Sequence, residues 1–229
     1  MAFGDSGVLD TFTRADTLGD SSANWTTGLY SGTSTFGISS NQAYGPAGDY
    51  RERYWNQSTP GPDSEVFVTL PVRPANGEVV YLWLRAQGPG TSGADAYEII
   101  INGNAGGTNH TWDINRVINE SGTSLATRTQ TISNGDAFGL RAIGSGATVT
   151  IQAWYRASGG SWAQLGADIS DTNASRITAA GRIGLGFNGA TTRADDFGGG
   201  NINDAVPSFY PEFEVAYALR RDMWPGLAR

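Results

Sequence analysis

Short runs in which apolar and polar residues alternate recur along this chain, and that two-residue period constrains the fold more than any other feature. Examples are "SEVFVTL", "EVVYLWLRAQ", "AYEIIING", "HTWDINRVI", "DAFGLRAI", "ATVTIQAWYRA", "GRIGLGFNG" and "RADDFGG". Between the runs lie turn formers such as "PANG", "GPGTSG", "GNAGG", "SNGD" and "ASGG". Long helical periodicity is missing, and only a turn or so near "ALRRDM" reads as helix. Many strands without helical crossovers imply an all-β fold, an antiparallel two-sheet β-sandwich of the jelly-roll kind. Its helix content should lie below about 10%, well under the usual globular share. A chain of 229 residues is long enough for such a core without disulfide staples. We expect the sandwich over 1–202 and a C-terminal strand with a docking tail over 203–229.

Composition removes several function classes. Cysteine is absent, which excludes a disulfide framework and cysteine-based zinc or redox sites. The formal net charge of −7 argues against binding nucleic acid or an anionic membrane through bulk electrostatics. The opening "MAFGDSGVLD" has neither the basic region nor the apolar run of a signal peptide. No segment approaches the roughly 20 apolar residues of a membrane span.

Alternation assigns faces, because successive side chains on a strand point oppositely. It sets Tyr81, Trp83 and Arg85 against Val80, Leu82 and Leu84. It aligns His110, Trp112, Ile114 and Arg116, and it groups Gln152, Trp154 and Arg156 opposite Val149, Ile151, Ala153 and Tyr155. Trp83, Arg85, Trp112, Arg116, Trp154 and Arg156 are therefore expected on one sheet face, as a carbohydrate-binding platform. The competing reading is that arginine stacks on tryptophan across strands to support the sheet.

Catalytic sets are thin. Glu212 and Glu214 in "PEFEVAY" would share a strand face roughly 7 Å apart, with Phe213 between them and no third carboxylate in the run. The single histidine, His110, is expected on the surface, and no Gly-x-Ser-x-Gly elbow exists. We therefore expect no enzyme activity, no cofactor and no metal. In the last stretch, Arg220, Arg221, Met223, Trp224 and Leu227 form an expected partner-docking set.

"LDTFTRADTLGDSSANW" followed by "STFGISSNQAY" resembles the opening of concanavalin A-like lectin/glucanase domains of the laminin-G-like kind. "VVYLWLRAQ", "HTWDINRVINESGTSL", "GDAFGLRAIGSGATVTIQAWY", "GRIGLGFNG" and "RADDFGG" follow in the matching order, so the resemblance covers roughly residues 8–200. It implies that the first and last strands are neighbours and that Asp195 and Asp196 mark the closing strand. One of the two would then reach Arg14 or a turn amide. A calcium site and catalysis are the other readings of this pair, although calcium needs six or more oxygens and no Asp-rich spaced loop is present. Domains of this texture are common in phage structural proteins. The resemblance thus implies a non-enzymatic virion component, a capsid decoration or tail part released by host lysis. Its expected partners are other virion proteins or copies of itself, and host-surface glycans. The alternatives are a stand-alone bacterial carbohydrate-binding module and a glycan hydrolase.

Overall fold

In the computed structural model the described residues are 2–19, 22–32, 34–46 and 50–202. Among them the chain forms two antiparallel sheets of nine and seven strands packed as a sandwich. No helix among them is long and apolar enough to cross a membrane. Residues 203–229, with Glu212, Glu214, Arg220, Arg221, Met223, Trp224 and Leu227, lie outside the described set.

The nine-stranded sheet, sheet A, is built around β6 (Ser64–Val72), β11 (Asp136–Ile143), β12 (Val149–Arg156) and β16 (Arg193–Asn201). The seven-stranded sheet, sheet B, includes β5 (Arg51–Trp55), β7 (Val79–Gln87), β8 (Asp95–Asn102), β9 (His110–Ile118), β10 (Ser121–Gln130) and β15 (Arg182–Asn188). Its middle runs β9, β8, β7, β15, β5. The hairpin from β9 to β10 turns on Asn119 and Glu120, both at positive φ, the geometry that a two-residue connection requires.

The alternating runs sort as the two-residue period demands. Val80, Leu82 and Leu84 of β7, Ile99 and Ile101 of β8, and Trp112 and Ile114 of β9 point between the sheets. There they meet Val66 and Val68 of β6, Phe138 and Leu140 of β11, and Val149 and Ile151 of β12. All are fully buried. Each is worth about 1.5–3 kcal/mol of transfer free energy, so this layer dominates stability.

The closing strand sits where the resemblance implied: β1 (Val8–Asp10) pairs with β16. The opening motif has a physical explanation. The Asp10 carboxylate accepts from the Phe12 amide at 2.7 Å, from the Arg14 guanidinium at 2.8 Å and from the Trp25 indole. Three separated motif residues are thus tied to one carboxylate. Asp195 takes the amide of Asp196 at 2.8 Å, while Arg14 pairs with Asp10. Burial, and then the nearby charges of Asp196 and Asp10, push the Asp195 carboxyl above its ordinary value. Strict alternation would put Ala194 and Phe197 on opposite faces; both are in the core. Asp196 at φ 49° accompanies a bulge that breaks the alternation.

Candidate functional site

The outer face of sheet B carries a second, smaller apolar cluster: Leu29, Tyr81, Trp83, Ala86, Ala94 and Ala96. Its geometry follows from "GRIGLGFNG". Gly186 of β15 lies between Glu52 of β5 and Tyr81 of β7, and Gly184 lies between Tyr54 and Trp83. A Cβ on Gly186 would stand 2.2 Å from the Tyr81 ring, and one on Gly184 2.4 Å from the Trp83 ring. The two rings therefore lie across β15, over positions that only glycine leaves open. Tyr81 reaches β5, where its hydroxyl donates to Glu52 Oε1 at 2.7 Å.

Glu52 also holds the loop above the sheet. It is fully buried, and its Oε2 accepts the amides of Leu29 and Tyr30 at 3.0 and 3.1 Å. Ser31 donates its amide to Glu120. The loop so fixed roofs Trp83 with Leu29 and leaves Tyr30 and Ser31 beside a cavity. That cavity, about 480 Å³, is lined by Tyr30, Ser31, Tyr50, Val79, Tyr81, Glu98, Ile100 and Asn102. Its volume lies in the roughly 300–1,000 Å³ range of small-ligand sites. Tyr50 is 53% exposed at the rim, its ring centroid 6.1 Å from that of Tyr81.

Glu98 lies on β8 opposite Trp83 and is only 4% exposed. The Tyr30 hydroxyl and the Asn115 side-chain amide donate to it, each at 3.5 Å. Burial, reinforced by the charge of Glu52, pushes its carboxyl up to about 7. Burial together with the Glu98 and Glu52 charges also pushes the Tyr30 phenol well above its ordinary value. The cavity thus joins three tyrosines, an apolar floor of Val79 and Ile100, and a carboxyl poised between its charged and neutral forms.

The six residues expected to form one platform do not share a face. Trp83 is on the outer face of sheet B, fully buried under the Leu29 loop. Trp112 is between the sheets, its ring edge-on to Phe138 and its indole nitrogen bonded to the Gln130 carbonyl at 3.3 Å. Arg116 is buried in an ion pair with Asp171 at 2.8 Å, and Asp171 also accepts the Tyr97 hydroxyl. Arg85 leaves the alternation at φ 53° and donates to the carbonyls of Ile177 and Gly144 at 2.7 and 2.9 Å. Trp154 and Arg156 are on the outer face of sheet A. Phe3 stacks on Trp154 with centroids 4.9 Å apart, and the Arg156 guanidinium lies over the Trp162 ring. His110 is also corrected: it is fully buried, and its Nδ1 accepts the Ile132 amide at 3.2 Å. Burial holds its pKa below the ordinary value. Tyr30, Tyr50, Glu98 and Asn102 were missed as site residues. The available signal was Glu98 itself, a carboxylate set in the apolar run "AYEIII".

Among the described residues no group of three or more acidic or histidine side chains could hold a metal ion. No protein-family model matches the chain, and no curated protein matches its sequence. Solved structures do match. One is a protein of unknown function with a galectin-like fold from Bacillus subtilis, at 10% identity and TM-score 0.54, covering 78% of this chain and 89% of that one. The VIP36 exoplasmic/lumenal domain, solved with Ca²⁺ and Man3GlcNAc, matches at 11% and 0.53, covering 87% and 89%. The carbohydrate binding module CBM66 from Bacillus subtilis matches at 14% and 0.50, covering 78% and 92%. The fold is therefore a concanavalin A-like β-sandwich, a scaffold that by itself leaves the activity open.

Proposed function

We propose that this chain is a non-enzymatic carbohydrate-binding sandwich that takes a sugar into the cavity on the outer face of sheet B. The observation that carries the reading is the cavity's lining: Tyr30, Tyr50 and Tyr81 around an apolar floor, with Glu98 and Asn102 as convergent polar groups. Tyrosine offers the apolar face of a sugar ring a flat surface and its hydroxyls a partner, and Glu and Asn fix orientation. Two proteins of this fold support the direction, CBM66 by its description as a carbohydrate binding module and VIP36 by its bound Man3GlcNAc.

Binding is favoured over hydrolysis by the state of Glu52. Glycoside hydrolysis uses two carboxyl groups flanking the scissile bond. The carboxylate whose charge acts on Glu98 is Glu52, which is fully buried and already accepts from Leu29, Tyr30 and Tyr81. For the biological setting, the sequence resemblance supports a virion component, which immunogold labelling of purified particles would test.

The binding test is a glycan array with the wild type and Ile100→Trp, which fills the cavity floor. We expect glycan signal for the wild type and its loss in the variant, with the melting transition retained. An array without signal for the wild type, or binding that survives the filled floor, overturns the reading.

A further inference from the structure

Among the buried carboxylates of this protein, Glu98 stands apart. Glu65, on the outer face of sheet A, accepts from Arg141 Nε at 3.0 Å, the Gly4 amide at 3.0 Å, the Ser6 amide at 3.2 Å and the Ser6 hydroxyl at 2.7 Å. Asp171 accepts from Arg116, Tyr97 and the Asn173 amide at 2.8, 2.8 and 3.1 Å. Asp136 accepts from the Ser133 and Ser158 amides and the Tyr155 hydroxyl, each at 2.8 Å. Glu52 accepts from Leu29, Tyr30 and Tyr81, as described. Glu98 is also buried, and among the described residues it has only two neutral donors, both at 3.5 Å, the outer limit of a hydrogen bond. It alone of the five lines the cavity.

A carboxylate taken out of water needs strong donors and, best of all, a cation. Among the described residues, none that lines the cavity is an arginine or histidine. Among the described residues, the charges that act on Glu98 and Tyr30 are of one sign. Glu52 acts on Glu98 from β5, and Glu98, Glu52 and Glu120 all act on the Tyr30 phenol from β8, β5 and the turn after β9. Tyr81 from β7 faces Glu52 and Glu98 as a neutral phenol, and Asn115 from β9 supplies only an amide. The missing partner is a positive hydrogen-bond donor, and the open side is the cavity.

Resting on the proposed carbohydrate pocket, we infer that Glu98 is its specificity-determining residue and pairs with the ammonium of an amino sugar. A protonated 2-amino-2-deoxyhexose brings three N–H donors and one positive charge to the carboxylate, while its ring lies against the tyrosines. As the ammonium enters, a proton still held by Glu98 leaves to solvent. Uronic and sialic acids, which bring a second carboxylate into this field, are rejected.

The test is calorimetry with three tetrasaccharides: β-1,4-linked glucosamine, β-1,4-linked N-acetylglucosamine and α-1,4-linked galacturonate. We expect the glucosamine oligomer to bind the wild type at about pH 7 at least tenfold more tightly than the acetylated one, the scale of one ion pair. Galacturonate should not bind. In Glu98→Gln the preference should vanish, and a retained cooperative melting transition shows that the variant is folded. In the wild type, affinity for glucosamine should fall as the pH drops from about 7 to about 5, with net proton release at the lower pH. Equal or tighter binding of the acetylated oligomer, or an unchanged preference in Glu98→Gln, overturns the inference and leaves the pocket standing. Binding of none of the three by the wild type overturns the inference and the pocket together.

Discussion

The outer faces of the two sheets use similar residues and end in different states. On sheet A, Glu65 and Arg141 form a buried pair, and residues 2–6 are drawn onto the sheet by it. Phe3 then stacks on Trp154, and Arg141 lies over both rings. On sheet B, the Tyr81 and Trp83 rings are likewise laid flat, and a loop is likewise hung from a buried glutamate, Glu52. Its cover stops short, however, leaving the tyrosine-lined cavity with Glu98 beneath it. In one face the carboxylate has found its cation; in the other, Glu98 has none among the described residues. On the proposed reading, an aromatic and charged sheet face is left open to a ligand where its buried carboxylate lacks a partner.

The largest effect expected from this contrast is on sheet A. Glu65→Ala strands the Arg141 guanidinium and releases the amides of Gly4 and Ser6. Breaking a buried pair from one side costs about 3–5 kcal/mol, so the urea midpoint should fall steeply. The folded fraction should keep its sugar binding, because the cavity is on the other sheet. Trp154→Ala should behave the same way with a smaller loss, roughly 2 kcal/mol, as its ring is part of the stack with Phe3. A loss below about 1 kcal/mol for Glu65→Ala would show that the two faces are not built as described.

This difference was only partly legible in the sequence. Alternation placed the core residues of β7 and β12 correctly but set Trp112 of β9 on the platform rather than in the core, and the Asp10, Phe12, Arg14 and Trp25 motif is explained by one carboxylate. The shared Trp/Arg platform was not there to read. Alternation tells which residues share a face within a strand, but not which face of one strand matches which face of another. Trp112 and Arg116 turned inward, whereas Trp83 and Trp154 turned outward on opposite sheets. Arg85 and Asp196 show a second reason, since a residue at positive φ resets the pleat and no residue-level signal marks it. The third reason is cover: Phe3 lies far from Trp154 in sequence, and Leu29 far from Trp83. Glu98 was legible as a charge in an isoleucine run, but its lack of a partner was not.

A second, intermediate effect concerns the pH dependence that Glu98 confers. The Glu98 carboxyl is raised from 4.5 to about 7 in the folded chain. A carboxyl with a raised folded value favours the fold while both states are protonated. That contribution is fully present below about pH 4.5 and is lost as the pH rises through about 7. The gap corresponds to about 3 kcal/mol at most. Stability in Glu98→Gln should therefore exceed that of the wild type at pH 8 and converge with it near pH 4, as read by urea denaturation at each pH. Parallel curves at all pH values would mean that Glu98 has a partner in solution, and the contrast with Glu65 would disappear.

The smallest effect on stability should carry a large effect on binding. Tyr50 stands at the rim of the cavity, more than half exposed, its ring tilted against Tyr81 rather than packed into either apolar cluster. Truncating such a side chain removes little buried area, so Tyr50→Ala should change the unfolding free energy by less than about 0.5 kcal/mol. In the free protein the ring is already held near its working position by Tyr81, and a sugar lying on the floor of Val79 and Ile100 would be covered by it. Losing that cover should weaken sugar binding by about tenfold, close to what one aromatic contact contributes. Tyr44 is the control, because it carries the Arg193 guanidinium over its ring on the other sheet and away from the cavity. Tyr44→Ala should leave binding unchanged. If calorimetry finds Tyr50→Ala and Tyr44→Ala equal in sugar affinity, the rim of sheet B does no more for a ligand than the covered face of sheet A.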